Sequence, residues 1–347
     1  MIIPRPIRRG DTIGVTAPSA GVTDPLDLVR MLSAVSNLGA RGYRVRATPN
    51  CFTSDEDGRS SPAEEKVRQI RSLLEDDSVT AIVSAKGGDY QHETIGLIDW
   101  DAVTDNPKWF QGYSDNTVLG FKATVEHDIA TVYAGNFGDY GMIPWHRSIE
   151  DNLAVLEGRN PVQRSYPFHE DGFHDRVTGT EAVADDSPTV WRCTEDDAVI
   201  EGRLVGGCMD VLDWYVRTGN CDPKGFVEEY SGEGLIWFME TYDMDRDRVG
   251  RMFRLMAEKG WFKGVAGFVF GRPLFYRGGD YMEDVSGMLS SYGVPLLFDA
   301  DVGHRAPRMT LVNGAPAELR FSGGGCSLAM RLRGGKNNPP TSKSVRL

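Results

Sequence analysis

The sequence predicts an α/β protein of two domains: a parallel sheet covered by helices on both faces, then an α/β domain with a mixed sheet. Three observations lead there. From residue 12 to 158, short apolar runs alternate with amphipathic helical patterns, the signature of strands buried on both faces. From 159 to 198 that pattern fails, and the segment is polar, acidic and broken by Pro161, Pro167 and Pro188. From 199 the alternation resumes, and it ends in strand-like runs around a Gly323-Gly324-Gly325 turn. The expected division is therefore 1–158, a connection at 159–198, 199–335 and a polar tail at 336–347. A loop as long as the connection usually has a job, such as a lid.

Taken in order, residues 12–17 are a buried strand ending at Pro18-Ser19. Asp24-Pro25 opens a helix with Leu28, Met31, Leu32, Val35 and Leu38 on one face, closed by Gly39 and Gly42. Residues 43–47 are a second strand. The next helix reads Ser61 as N-cap, Pro62 as first residue and Glu64 as capping-box partner, with Val67, Ile70, Leu73 and Leu74 buried. A β-branched run at 79–84 ends in Ala-Lys-Gly-Gly, followed by a short helix at 92–97. A strand at 109–113, a helix after Ser114 that Asp115-Asn116-Thr117 opens and that runs to Val125, a strand at 131–135 and a helix at 148–158 complete the first domain. In the second, Gly202–Gly207 leads into a helix carrying Met209, Leu212, Trp214 and Val216. Strands at 235–239, 265–270 and 294–298 alternate with helices at 243–260 and 282–292. Two hairpin strands at 309–312 and 317–321 and a return strand to Leu332 finish it.

With 347 residues the chain can bury a core in each domain. A net charge of -12 argues against general binding to nucleic acid or anionic membrane. The five cysteines are odd in number and show no C-x-x-C spacing, so neither a disulfide framework nor a zinc cluster is expected. Neither a signal peptide nor a membrane span is visible, and a cytoplasmic location fits best.

Parallel sheets bind ligands at the carboxyl ends of their strands. Three such ends stand out: Pro18-Ser19, Gly87-Gly88 and Ser114. At a strand-to-helix corner a serine hydroxyl is pushed out of the sheet, beside free N–H groups that could stabilise an oxyanion. Such a corner taken alone more often marks a plain helix cap. A nucleophilic serine needs a base and a group to orient that base. Of six histidines, His304 lies in a loop just past a buried strand, and His92, shortly after Gly87-Gly88, is the rival. Glu240 closes the run Leu-Ile-Trp-Phe-Met, where an acid without a partner would be costly. The acid could also be emerging into solvent. Asp243, Asp245 and Asp247 start like a calcium loop, but Arg248 and Arg254 occupy its glycine and glutamate positions. Dinucleotide and Walker-type phosphate motifs are absent, and acyl transfer to a serine would need no cofactor or metal.

Several stretches together resemble the serine LD-carboxypeptidase family, which includes the microcin C immunity peptidases. They are Gly10 to Ser19, Ala85-Lys86-Gly87-Gly88, Gly112-Tyr113-Ser114-Asp115, Gly202 to Gly207, Glu240 at its strand end, and Gly303-His304. The resemblance implies a Rossmann/flavodoxin-like N-terminal domain of the class I glutamine amidotransferase type. It implies a triad of Ser114 as nucleophile, His304 as base and Glu240 as orienter, with the active site between domains. It further implies an oxyanion hole at Gly88 and Asp115, with Gly87 against the substrate, and a homodimer. Lys86 replaces the usual Arg, and Cys208 stands where many members carry Asn. The chain is longer than a minimal member, and Trp191 in the connection resembles the aromatic that immunity-type members lay over a nucleotide base. Two substrates are therefore expected, a cytoplasmic muropeptide or a peptidyl or aminoacyl nucleotide, with length and Trp191 favouring the second. The alternative is a protein that sequesters a ligand in the same cleft without cutting it. A glutaminase would need cysteine at position 114.

Overall fold

The computed structural model describes residues 1–332. Two sheets organise the molecule. The first is built from β1 (Thr12–Thr16), β2 (Arg44–Ala47), β3 (Val79–Ser84), β4 (Trp109–Gly112) and β5 (Thr131–Tyr133), all parallel, in the order β2-β1-β3-β4-β5. Every residue of β1, β3 and β5 is buried, as a sheet covered on both faces requires. Helices α1 (Pro25–Ala40), α2 (Ala63–Leu74), α3 (Trp100–Asp105), α4 (Thr117–His127) and α5 (Arg147–Leu156) accompany it.

Between residues 159 and 198 the chain is irregular but stitched down by four two-residue strands. These are β6 (Gln163–Arg164), β7 (Phe168–His169), β8 (Ser187–Pro188) and β9 (Arg192–Cys193). β7 and β8 pair with each other, while β6 and β9 cap opposite edges of the second sheet. That sheet has β10 (Asp197–Cys208), β11 (Leu235–Glu240), β12 (Val265–Gly271) and β13 (Leu296–Ala300) running parallel at its centre. Helices α6 (Met209–Thr218), α7 (Lys224–Tyr230), α8 (Arg246–Glu258) and α9 (Tyr281–Leu289) connect them. After them come β14 (Leu311–Asn313), β15 (Pro316–Ser322) and β16 (Gly325–Met330).

Several local expectations are corrected. The strand expected at 309–312 does not form a hairpin with 317–321. As β14 it crosses back and pairs antiparallel with β5, completing the first sheet, and the hairpin is β15–β16. On α1 the buried face is Arg30, Met31, Ala34 and Leu38, and Leu32 and Val35 face solvent. The helix is rotated because its inner face carries Arg30, whose guanidinium donates to the carbonyls of Gly179 and Glu181. Helix α2 begins at Ala63 with Pro62 extended before it, and the Ser61 hydroxyl is buried with no partner among the described residues instead of capping. The helix expected at 92–97 is a 3₁₀ turn at Gln91–Thr94 followed by α3, and α7 lies where no element was expected. The tail expected at 336–347 lies outside the described residues.

Candidate active site

The site begins with backbone strain. Strand β4 stops at Gly112, Tyr113 is extended, and Ser114 turns into the left-handed region with φ of 63° before a 3₁₀ turn feeds α4. A residue with a Cβ costs about 1–2 kcal/mol there. Such a corner projects a side chain from the end of a sheet, and strained residues of this kind cluster at functional sites.

His304 meets that serine from the second sheet. Its Nε2 is 3.0 Å from Ser114 Oγ, and its Nδ1 is 2.7 Å from Glu240 Oε2. Glu240 ends β11 with no exposed surface. The loop bearing His304 can cross over it because residue 303 is glycine with φ of 98°, where a Cβ would stand 2.5 Å from the Glu240 carboxylate. The other Glu240 oxygen accepts from Tyr133 OH at 2.6 Å, and Tyr133 in turn accepts from the Ser114 N–H at 3.3 Å. Burial pushes the Glu240 carboxyl up. The charge and hydrogen bond of His304, with bonds from Tyr133 and Cys208, outweigh burial and hold it below the ordinary carboxylate range. The imidazole is wedged between Tyr113 and Tyr242, at centroid distances of 5.1 and 4.9 Å. His92, the rival base, instead packs on Trp214 and turns its Nδ1 to the Asp89 carbonyl.

The three strand ends singled out in the sequence converge. Ser19 donates to the Asp115 carboxylate at 2.5 Å and accepts from the Tyr90 N–H at 3.0 Å, and Gln91 N–H donates to the same carboxylate oxygen. Gly88 has φ of 143°, and a Cβ on it would fall 2.5 Å from Ser19 Oγ, so the turn needs glycine. A Cβ on Gly87 would stand 3.3 Å from Ser114 Oγ. Among the described residues, neither the Gly88 nor the Asp115 backbone N–H donates to a protein group. Burial pushes the Asp115 carboxyl up to about 6, although Ser19 and Gln91 N–H pull it down.

Ser114 and His304 open into a cleft of about 780 Å³ between the two sheets. Its walls include Gly87, Gly88, Cys208, Trp214, Tyr242 and Phe173. Trp191 is not among them. It is 1% exposed and donates through Nε1 to the buried Asp301 at 3.2 Å, so the expectation that it contacts substrate is corrected. The aromatic that the connection does bring to the cleft is Phe173, which packs on Tyr242 and Phe275. Tyr133 also belongs to the site, although in the sequence it reads as an ordinary core residue of a buried strand. Asp245 caps α8 and Asp243 pairs with Arg277, so the acidic triplet serves local structure. Among the described residues no three His, Cys, Asp or Glu side chains gather as metal donors, and no helix is long and apolar enough to cross a membrane.

A serine in a strained corner, aligned with a histidine and a buried carboxylate on an α/β frame, is the arrangement of a serine hydrolase. The chain belongs to the LD-carboxypeptidase family: its N-terminal domain model matches residues 13–134 and its C-terminal domain model residues 201–319. It is a serine carboxypeptidase. The microcin C7 self-immunity protein MccF of Escherichia coli is 24% identical over 332 residues, covering 92% of this chain and 93% of that protein. A probable murein peptide carboxypeptidase of Bacillus subtilis is 25% identical over 327 residues, covering 91% of each. In structure, MccF in its wild-type apo state superposes with a TM-score of 0.78 at 20% identity, over 96% of this chain and 99% of that one. A muramoyltetrapeptide carboxypeptidase from Oxalobacter formigenes gives 0.68 at 22% identity, over 92% and 98%. At these identities the superpositions speak to fold alone.

Proposed function

We propose that this protein hydrolyses an amide bond by acyl transfer to Ser114. The observation that carries the reading is the His304 ring spanning Ser114 Oγ and Glu240 Oε2 at 3.0 and 2.7 Å. His304 Nε2 takes the hydroxyl proton as Oγ attacks the scissile carbonyl, then gives it to the leaving amine. Glu240 stays ionised, holds the Nδ1–H tautomer and stabilises the imidazolium. The unpartnered N–H groups of Gly88 and Asp115 receive the oxyanion, and Gly87 leaves room for the carbonyl carbon. Water then enters by the same base and releases the acyl group.

The substrate is the L,D-peptide bond of a muropeptide, a reading supported by the family and by the murein peptide relative. The second reading is the amide of an aminoacyl nucleotide. The aromatic lining of the cleft and the MccF likeness favour it, and solved MccF complexes hold aspartyl sulfamoyl adenosine and glutamyl sulfamoyl guanosine. A cytoplasmic location and a homodimer belong to the same proposal. Turnover of an L,D-tetrapeptide and of a peptidyl nucleotide, each with Ser114→Ala as control, tests it. Cleavage of neither, or equal activity in the alanine variant, would sink the reading. A protein that only sequesters its ligand would bind these compounds and return them intact.

A further inference from the structure

A carboxypeptidase must find the free carboxylate of the residue it removes. We propose that Arg30, Lys86 and Arg176 form the subsite for that carboxylate, an inference that rests on Ser114 being the nucleophile. All three line the same cleft as Ser114. They come from three separate parts of the chain: Arg30 from α1, Lys86 from the turn after β3, and Arg176 from the connection.

One carboxylate touches this group. Asp27 Oδ2 lies 3.1 Å from Lys86 Nζ, and Asp27 Oδ1 accepts from Arg176. Arg30 is 5% exposed and, among the described residues, has no carboxylate within ion-pair distance. Its guanidinium donates to two carbonyls, of Gly179 and Glu181, and its buried Nε has no partner among the described residues. Burial lowers its pKa and the charges of Arg176 and Arg308 add to that, against the pull of Asp139 and Glu181. The nearby acids make their direct bonds elsewhere: Asp139 pairs with Arg308 at 3.0 Å, and Glu181 takes the N–H groups of Val177, Thr178 and Gly179 on one carboxylate oxygen. A buried guanidinium held only by carbonyls and by acids beyond ion-pair distance is costly, and an arriving anion would offset that cost.

Position points to the leaving residue. Lys86 directly precedes Gly87, which abuts Ser114 Oγ. One residue spans about 3.3–3.6 Å, so the carboxylate of a single departing residue stays close to the scissile carbonyl. The other arginines of the cleft, Arg217 and Arg248, share the buried Asp213 at 3.1 and 2.8 Å, and Arg248 also lies 3.9 Å from Asp210. The subsite also gives the long connection a task, since Arg176 carries it onto the first domain.

The test compares an L,D-tetrapeptide with the same peptide amidated at its C-terminus. Wild type should favour the acid in kcat/KM by about 100-fold, and Lys86→Met and Arg176→Met should each cut that ratio about tenfold, the scale of a hydrogen bond to a charged group. Both side chains are partly exposed, at 46% and 38%, so these variants keep the fold. An amide cleaved as well as the acid overturns the subsite, and so does a ratio that falls in Arg217→Met but in neither of the two. Calorimetry of both peptides on Ser114→Ala makes the same comparison without turnover. Equal affinity there, or no binding of either, overturns the subsite whatever Ser114 does. Labelling of wild-type Ser114 by a small fluorophosphonate, which has no carboxylate, reports the nucleophile separately.

Discussion

Glu240→Gln should do more than remove a charge. Tyr133 accepts from the Ser114 N–H, so its own proton points to Glu240 Oε1 at 2.6 Å. A glutamine at 240 must then turn its carbonyl oxygen toward Tyr133 and its NH₂ toward His304. That makes Nδ1 an acceptor and places the ring proton on Nε2, facing Ser114, where no base remains. The wrong tautomer in a serine triad costs about 10⁴ in rate, or roughly 5 kcal/mol at 1.36 kcal/mol per decade. Tyr133→Phe added to Glu240→Gln removes the donor that fixes the amide. The glutamine can then flip, offer its oxygen to His304 and restore the tautomer. The recovery is worth up to one neutral hydrogen bond, about 0.5–1.5 kcal/mol, and so as much as about tenfold in rate. The assay is the second-order rate of Ser114 phosphonylation, which needs the base and no knowledge of the substrate. Thermal melts of each variant check the fold. If Glu240→Gln stays within tenfold of wild type, or the double variant is slower than the single, the tautomer argument is wrong.

Further expectations follow from other parts of the site. Ser114→Gly should abolish hydrolysis yet stabilise the fold by up to about 1 kcal/mol, because glycine tolerates φ of 63° at little cost; a lower denaturation midpoint would contradict the strain. The Asp115 carboxyl is raised from 3.8 to about 6, so the folded state favours its neutral form. The stability this lends is present below pH 4 and lost as pH rises through 6. Asp115→Asn cannot ionise and should gain on wild type across that window by up to roughly 3 kcal/mol, about 2 units at 1.36 kcal/mol each; urea unfolding at pH 4 to 8 reads the difference, and a flat one rejects it. Trp191→Phe loses the bond to buried Asp301 and should cost about 1–3 kcal/mol of stability with KM unchanged, whereas a raised KM would return Trp191 to the substrate.

The candidate site was legible where chemistry and chain geometry coincide. Ser114 and Glu240 sit at the ends of apolar runs and His304 in the loop past another, places periodicity can find, and Gly87-Gly88 and Gly303 mark the tight approaches between them. What stayed hidden depends on long-range partners. Tyr133 reads as core until the second sheet brings Glu240 to its hydroxyl, 107 residues away in sequence. Arg30 reads as a solvent-face residue until the connection folds over it. Trp191 sits in a polar stretch, and nothing local shows that it is buried against Asp301. β14 has the pattern of any short strand, and pairing with β5 across the molecule is a choice that periodicity cannot express.

If His304 activates Ser114 as a nucleophile, the serine reacts covalently and its reactivity depends on the imidazole. Peptide mass spectrometry after treatment with a fluorophosphonate tests it most directly. One adduct is expected, on the peptide containing Ser114, absent in Ser114→Ala and formed at least a hundredfold more slowly in His304→Ala. An unmodified Ser114, or labelling at the same rate without His304, would contradict it.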